Sequence, residues 1–153
     1  MKRGSTIILR AIIGMIAAGI LFVSLLTLSM LLRSQVGEYA PILIGVYVSL
    51  VPFFFALYQM LKLLGFIDKN KAFTQGAVVA LKNVKYSAIV FGALYALGMP
   101  YIYLAADHDD APGVIVLGLI FAGGAFVLAV FAAVAQRLFQ NAVDIKSEND
   151  LTV

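Results

Sequence analysis

The chain alternates between long uncharged apolar runs and short charged segments. Four runs contain no Asp, Glu, Lys, Arg or His, and they cover residues 11–32, 39–61, 86–106 and 111–136. A helix of about 20 residues crosses the roughly 30 Å hydrocarbon layer of a bilayer, and each run is at least that long. The pattern predicts four transmembrane helices. A secretory signal peptide is the alternative for the first run, but that run is too long and no small-residue cleavage site follows it cleanly.

Composition supports a membrane protein. Apolar residues make up 63% of the 153 positions and the mean hydropathy is +1.01, whereas soluble domains are about 45–50% apolar. Cysteine is absent, which excludes disulfides and thiolate metal sites. No linker or change of composition divides the chain, so residues 1–153 are expected to form a single integral membrane domain.

The distribution of positive charge predicts the orientation. Ten of the eleven Lys and Arg residues lie before residue 11, between residues 62 and 85, or after residue 136, and the exception is Arg33. Because cytoplasmic loops are enriched in Lys and Arg, both termini and the central connection are predicted to be cytoplasmic. The expected location is the inner membrane of a bacterial cell.

The central connection contains a short basic amphipathic segment. Thr74 is placed to act as an N-cap, and Val78 and Leu81 fall on one face while Lys82 and Lys85 flank it. The fold class predicted is therefore an all-α membrane protein, a four-transmembrane-helix bundle with a short cytoplasmic amphipathic helix between spans 2 and 3. That helix could lie on the anionic leaflet, dock a cytosolic protein or recognise a lipid headgroup. Direct nucleic-acid binding is disfavoured, because a few lysines beside a bilayer do not form a basic face.

Candidate chemistry within the chain is sparse. The spans hold no ionisable residue, which argues against a proton-coupled pump, a transporter of charged substrates and an intramembrane hydrolase. The segment from Asp107 to Asp110 includes three carboxylates and His108, but adjacent residues in a short loop do not converge easily on one ion. No enzyme activity, metal site or cofactor is predicted.

Small residues recur at helical spacing in two spans. The fourth span has such a stripe at Gly118, Ala122, Ala125, Ala129 and Ala132 or Ala133, and the first span has one at Ala11, Gly14 and Ala18. In lipid, small residues let helix backbones approach closely. The stripes are expected to serve packing within the bundle, and a homo-oligomer interface is the alternative.

The C-terminal tail keeps helical periodicity after the fourth run. Leu138, Ala142 and Ile145 share one face, and the chain then becomes acidic. The tail is predicted to project about two helical turns before fraying. It could be a solvated helix end or a recognition segment.

Two short motifs carry a resemblance to a known family. The first motif consists of Leu63, Leu64, Ile67, Asp68, Asn70, Ala72, Phe73, Leu81 and Lys82, and the second of Glu148, Asn149, Asp150, Leu151, Thr152 and Val153. With them, nearly the whole chain resembles the bacterial four-span family catalogued as domain of unknown function 2975. Members are often encoded beside a small Xre-type helix-turn-helix regulator. The resemblance implies a membrane partner that binds or sequesters such a regulator, and it implies no catalytic residues.

Two functional hypotheses follow. The first is a membrane protein whose cytoplasmic face binds a cytosolic helix-turn-helix regulator. Its candidate partner-binding residues are Phe73, Val78, Leu81, Lys82, Lys85, Asp144, Glu148, Asn149, Asp150, Leu151, Thr152 and Val153. The second is a small transport, export or immunity-type protein acting through the bundle, which predicts that Gln59, Tyr95 and Gln136 converge on a cavity.

Overall fold

The described residues fold into four α-helices that run alternately up and down. The computed structural model describes residues 3–33, 40–108 and 110–151. The helices are α1 (Arg3–Leu32), α2 (Ala40–Asp68), α3 (Gln75–His108) and α4 (Pro112–Leu151), and the described residues contain no strand. All four helices are long and apolar enough to cross a membrane. The predicted fold class, an all-α four-helix membrane bundle, is confirmed.

The helices extend beyond the uncharged runs that predicted them. The described part of each uncharged run lies within one helix, apart from Ala111, which directly precedes α4; Tyr39 lies outside the described residues. However, α3 begins well before residue 86 and α4 continues well past residue 136. A charged residue is unfavourable in lipid, yet it is compatible with a helix. The charged residues therefore end the uncharged runs without ending the helices.

The connections after α2 and α3 end these helices in the same way. Asn70 and Asp110 have positive φ angles of 57° and 52°. The Lys71 N–H donates to the Phe66 carbonyl at 2.7 Å, and the Ala111 N–H donates to the Ala106 carbonyl at 2.8 Å. This is the Schellman arrangement, which needs a left-handed residue, and Asn and Asp tolerate that conformation better than most side chains. At both sites a polar residue in the left-handed conformation ends the helix, and the chain reverses direction there.

Thr74 occupies the predicted N-cap position of α3. Thr74 directly precedes Gln75, and its carbonyl accepts the first helical hydrogen bonds, from Ala77 at 3.1 Å and Val78 at 3.3 Å. The Thr74 hydroxyl donates back to the Lys71 carbonyl at 2.7 Å. The short connection between α2 and α3 is thus held by its own backbone and side-chain bonds.

Small residues bring α3 and α4 together. The α4 stripe from Gly118 to Ala132 is buried, which confirms its expected use in bundle packing. A Cβ atom on Gly118 would lie 2.7 Å from the Met99 sulfur, and one on Gly92 would lie 3.1 Å from the Phe126 ring. These two helices form the most extensive contact in the bundle, followed by α2 with α3, whereas α1 packs chiefly on α2 and more sparsely.

The small-residue stripe predicted for the first span does not pack within the bundle. Ala11, Gly14 and Ala18 are exposed, and no other part of the described chain lies within 4 Å of a Cβ placed on Gly14. In a bilayer this face of α1 is covered by lipid or by another protein.

The basic segment between spans 2 and 3 is helical, as predicted, and it forms the first three turns of α3. What differs from the expectation is the environment of its apolar face. Its apolar face is buried, with Val78 2% and Leu81 8% exposed, and Ala77 and Ala80 on the same side are almost fully enclosed. The face packs inside the bundle because α2 and α4 extend far enough beyond their uncharged runs to cover it.

Candidate functional site

Two features stand out as candidate sites, one at one end of the bundle and one among its helices. We call the end that holds the start of α1, the α2–α3 connection and the end of α4 the terminal end. There the Arg10 guanidinium lies 3.0 Å from the Asp68 carboxylate. Because this pair is partly exposed, it contributes little stability by itself. It shows that the first part of α1 lies beside the end of α2.

The most prominent feature of the terminal end is the last part of α4. Residues 137–151 continue the α4 helix beyond the uncharged run, a length of about 22 Å at 1.5 Å per residue. We call this segment the tail helix. It is about four turns long, so the prediction of two turns before fraying is wrong. The prediction failed because it treated the acidic residues as a helix end.

The base of the tail helix is joined to the rest of the bundle. The Phe73 ring packs on the Phe139 ring with centroids 5.5 Å apart. The Gln75 amide donates to the Gln140 oxygen at 3.3 Å, and the Gln140 amide donates to Asp144 at 3.0 Å. These contacts set the direction in which the tail helix leaves the bundle.

Beyond Val143 the tail helix is exposed on all sides. Asp144, Glu148 and Asp150 are acidic and Lys146 is basic, so residues 144–151 have a formal charge of −2. Ile145 is 66% exposed and adds an apolar position among the charges. An exposed helix with acidic and apolar side chains can bind a partner that has a basic surface.

The predicted partner-binding residues separate into three groups. Phe73, Lys82, Asp144 and the residues Glu148, Asn149, Asp150 and Leu151 are exposed, and Lys85 is half-buried with its ammonium 4.7 Å from the centre of the Tyr86 ring. Val78 and Leu81 are buried between helices, so the prediction that they meet a partner is corrected: they form part of the core. Thr152 and Val153 lie outside the described residues.

The second candidate feature is a cavity of about 710 Å³ among the four helices, mainly in the half away from the terminal end. Its lining is largely apolar and includes no Asp, Glu, Lys, Arg or His. A smaller cavity of about 360 Å³ lies between α2 and α3, and Tyr95 lines both cavities. Cavities of this size and character are typical of sites for apolar small molecules.

Hydroxyl groups form a polar edge along the larger cavity. The Tyr47 hydroxyl donates to the Ser24 carbonyl at 2.6 Å and lies 2.6 Å from the Thr27 hydroxyl, which joins α2 to α1. The Ser49 hydroxyl donates to the Val46 carbonyl at 2.6 Å and lies 3.3 Å from the Tyr95 hydroxyl. The Tyr47 hydroxyl therefore joins two helices through short hydrogen bonds, whereas the Tyr95 hydroxyl makes only a long contact with Ser49 among the described residues.

The predicted convergence of Gln59, Tyr95 and Gln136 is wrong. Of the three, only Tyr95 lines either cavity. Gln59 is buried nearer the terminal end, and its Oε1 atom has no hydrogen-bond partner among the described residues. Thr27, Tyr47 and Ser49 were missed as a group, because the sequence does not indicate which helices of a bundle are neighbours.

The described residues of the polar turn after α3 form no group that could hold a metal ion. No group of three or more His, Asp or Glu side chains is placed to hold an ion in residues 3–33, 40–108 and 110–151. Asp109, which belongs to the sequence cluster, is outside these ranges.

Comparisons with known proteins place the chain among membrane proteins. The profile of the family described as "Protein of unknown function (DUF2975)" matches residues 35–153. The chain is 47% identical over 165 aligned positions to the "Uncharacterized membrane protein YoaS" of Bacillus subtilis (strain 168), and the alignment covers 100% of both chains. No solved structure matches.

Proposed function

The chain belongs to the DUF2975 family, and we propose that it is a non-enzymatic membrane protein that binds a small cytosolic helix-turn-helix regulator through its terminal end. The observation that carries this proposal is the tail helix. A continuous helix that extends beyond the uncharged run, contacts Phe73 and Gln75 at its base and is exposed beyond Val143 presents binding groups in a defined direction. The proposal requires this end of the bundle to face the cytoplasm, as the Lys and Arg distribution predicts.

Charge supports a DNA-binding protein as the partner. Helix-turn-helix proteins have a basic surface that neutralises DNA phosphates. The acidic residues of the tail helix, with a formal charge of −2 over residues 144–151, complement such a surface. Binding there would cover the groups that contact DNA, so the membrane protein and DNA would compete for the regulator.

Co-purification from native membranes tests the proposal. The tagged full-length protein is extracted in mild detergent beside a version truncated before Asp144 and the double variant Glu148→Gln, Asp150→Asn. A small helix-turn-helix protein is expected with the full-length chain and is expected to be absent after truncation. The double variant should bind it about 3- to 10-fold more weakly, because long-range charge attraction is lost. The matched control is Asp107→Asn with Asp110→Asn, which removes two exposed acidic groups from the opposite end and should leave binding unchanged.

A competition measurement separates specific capture from nonspecific attachment. The purified regulator is bound to the full-length protein in nanodiscs, and a DNA duplex carrying its operator is then added. Release of the regulator by the operator, at lower concentration than by an unrelated duplex, is expected. Absence of any helix-turn-helix protein from the full-length preparation, or its retention by the truncated chain, would refute the proposal.

A further inference from the structure

The larger cavity has the chemistry of a lipid-binding site. It lies among all four helices and is about 710 Å³ in volume, within the range of known ligand sites. Its lining includes no Asp, Glu, Lys, Arg or His, and an isolated charge in such surroundings is strongly unfavourable. A ligand that occupies this cavity must therefore be uncharged and mostly apolar.

Tyr95 supplies a hydrogen-bond donor for such a ligand. The Ser49 hydroxyl donates to the Val46 carbonyl at 2.6 Å, and its 3.3 Å contact with the Tyr95 hydroxyl is long for a hydrogen bond between two hydroxyl groups. An acceptor in the cavity at about 2.7 Å would therefore bind the Tyr95 hydrogen more strongly than the Ser49 oxygen can. A carbonyl oxygen is the acceptor that an uncharged lipid most commonly carries.

The depth of Tyr95 restricts the ligand further. Tyr95 lies ten residues beyond Lys85 along α3, which places it about 15 Å into the bilayer, close to the centre of the roughly 30 Å hydrocarbon layer. A phospholipid cannot bring its carbonyl to this depth while its charged headgroup stays in water. The ligand must be able to dissolve wholly within the hydrocarbon layer.

Aromatic rings surround this donor. The Tyr95 ring lies 4.8 Å from the Phe91 ring and 5.6 Å from the Phe121 ring, measured between centroids. Aromatic walls can stack on a flat ring and can also contact an aliphatic chain. Both a ring-bearing lipid and an acyl glyceride satisfy these constraints.

We propose that this cavity binds an uncharged, bilayer-soluble lipid whose carbonyl oxygen accepts a hydrogen bond from the Tyr95 hydroxyl. The two sources of this chemistry are an isoprenoid quinone and a diacylglycerol. The proposal does not depend on the regulator binding proposed above, because it concerns other residues, which line a cavity within the bundle.

Native mass spectrometry of the full-length protein in detergent micelles tests the proposal. The probes are a menaquinone with a short isoprenoid tail and dioctanoylglycerol, each titrated separately. A one-to-one adduct is expected with one of them, and the probe that binds identifies the source. Tyr95→Phe should weaken that binding about 2- to 10-fold, the usual effect of one hydrogen bond. Tyr58→Phe makes the same change on an exposed ring outside the cavity and should have no effect.

Two adjacent glycines provide a matched test of the cavity itself. A Cβ placed on Gly123 or on Gly124 would meet no atom within 4 Å, but only Gly124 lines the cavity. Gly124→Leu should fill part of the space and reduce binding more than about tenfold, whereas Gly123→Leu should bind as the parent does. Cooperative thermal unfolding checks that each variant is folded. If Gly124→Leu does not fold, the binding measured with Tyr95→Phe tests the proposal instead. Absence of an adduct with either probe, or equal binding by Tyr95→Phe and the parent, would overturn the proposal.

Discussion

Replacing Ala80 by Leu is expected to lower the free energy of unfolding by about 3 kcal/mol, because the added carbons must enter a closely packed interior. Ala80 is 1% exposed, in the part of α3 that lies between α2 and α4. The larger side chain would force α3 away from a neighbouring helix. SDS titration of the protein in detergent micelles, followed by circular dichroism, measures the change.

The control for this substitution is Ala96→Leu, which makes the same change at an exposed position of the same helix. Helix propensity changes equally in both variants, so the difference between them isolates packing. Equal stabilities would contradict the buried position of the first turns of α3. They would favour the alternative in which this segment lies on the membrane surface.

Replacing Gln59 by Leu is expected to have the opposite effect and raise the free energy of unfolding by about 1 to 3 kcal/mol, the cost of an unsatisfied buried polar group. Gln59 is 4% exposed, and within the described residues its Oε1 atom accepts no hydrogen bond. Leu has a similar volume and removes that oxygen. The same SDS titration measures the gain.

Ser87→Ala is the control for the Gln59 variant. Ser87 is also buried, but its hydroxyl donates to the Asn83 carbonyl at 2.8 Å, so its loss should not stabilise the protein. A fall in stability for Gln59→Leu would mean that the amide oxygen is satisfied in the membrane. The position would then be a polar contact that holds the bundle together.

The transmembrane part of the fold could be predicted from the sequence because lipid excludes charge. Each uncharged run corresponds to one helix, and the two polar turns fall where Asn70 and Asp110 allow a left-handed backbone. The start of α3 and the end of α4 could not be predicted from the uncharged runs, although Thr74 indicated the start of α3 as an N-cap residue. Outside the bilayer Lys82 and Arg137 are as compatible with a helix as with a loop, so charge no longer marks the boundary.

The burial of Val78 and Leu81 shows where a local pattern is insufficient. Their spacing correctly indicated an apolar face on a helix, but the same face fits a lipid surface, a protein partner or a neighbouring helix. Only the lengths of α2 and α4 decide among these, because both helices reach far enough to cover it. The candidate sites show the same difference between what a local sequence pattern indicates and what the arrangement of the helices decides. The exposed tail residues could be named from the sequence, whereas the cavity around Tyr95 depends on how the helices are arranged.

The account depends most directly on the side of the membrane that the terminal end faces. The natural chain contains no cysteine, so single cysteines can be labelled without background. Lys71→Cys and Ser147→Cys lie at exposed positions of the terminal end, and Asp107→Cys lies at an exposed position of the other end. Gly76 is a poor choice because a Cβ there would lie 2.7 Å from the Phe66 ring.

The measurement is labelling of intact and permeabilised cells with a membrane-impermeant maleimide. Asp107→Cys should react in intact cells, and Lys71→Cys and Ser147→Cys should react only after permeabilisation. Reaction of Ser147→Cys in intact cells would place the tail helix outside the cytoplasm and would contradict the binding of a cytosolic regulator.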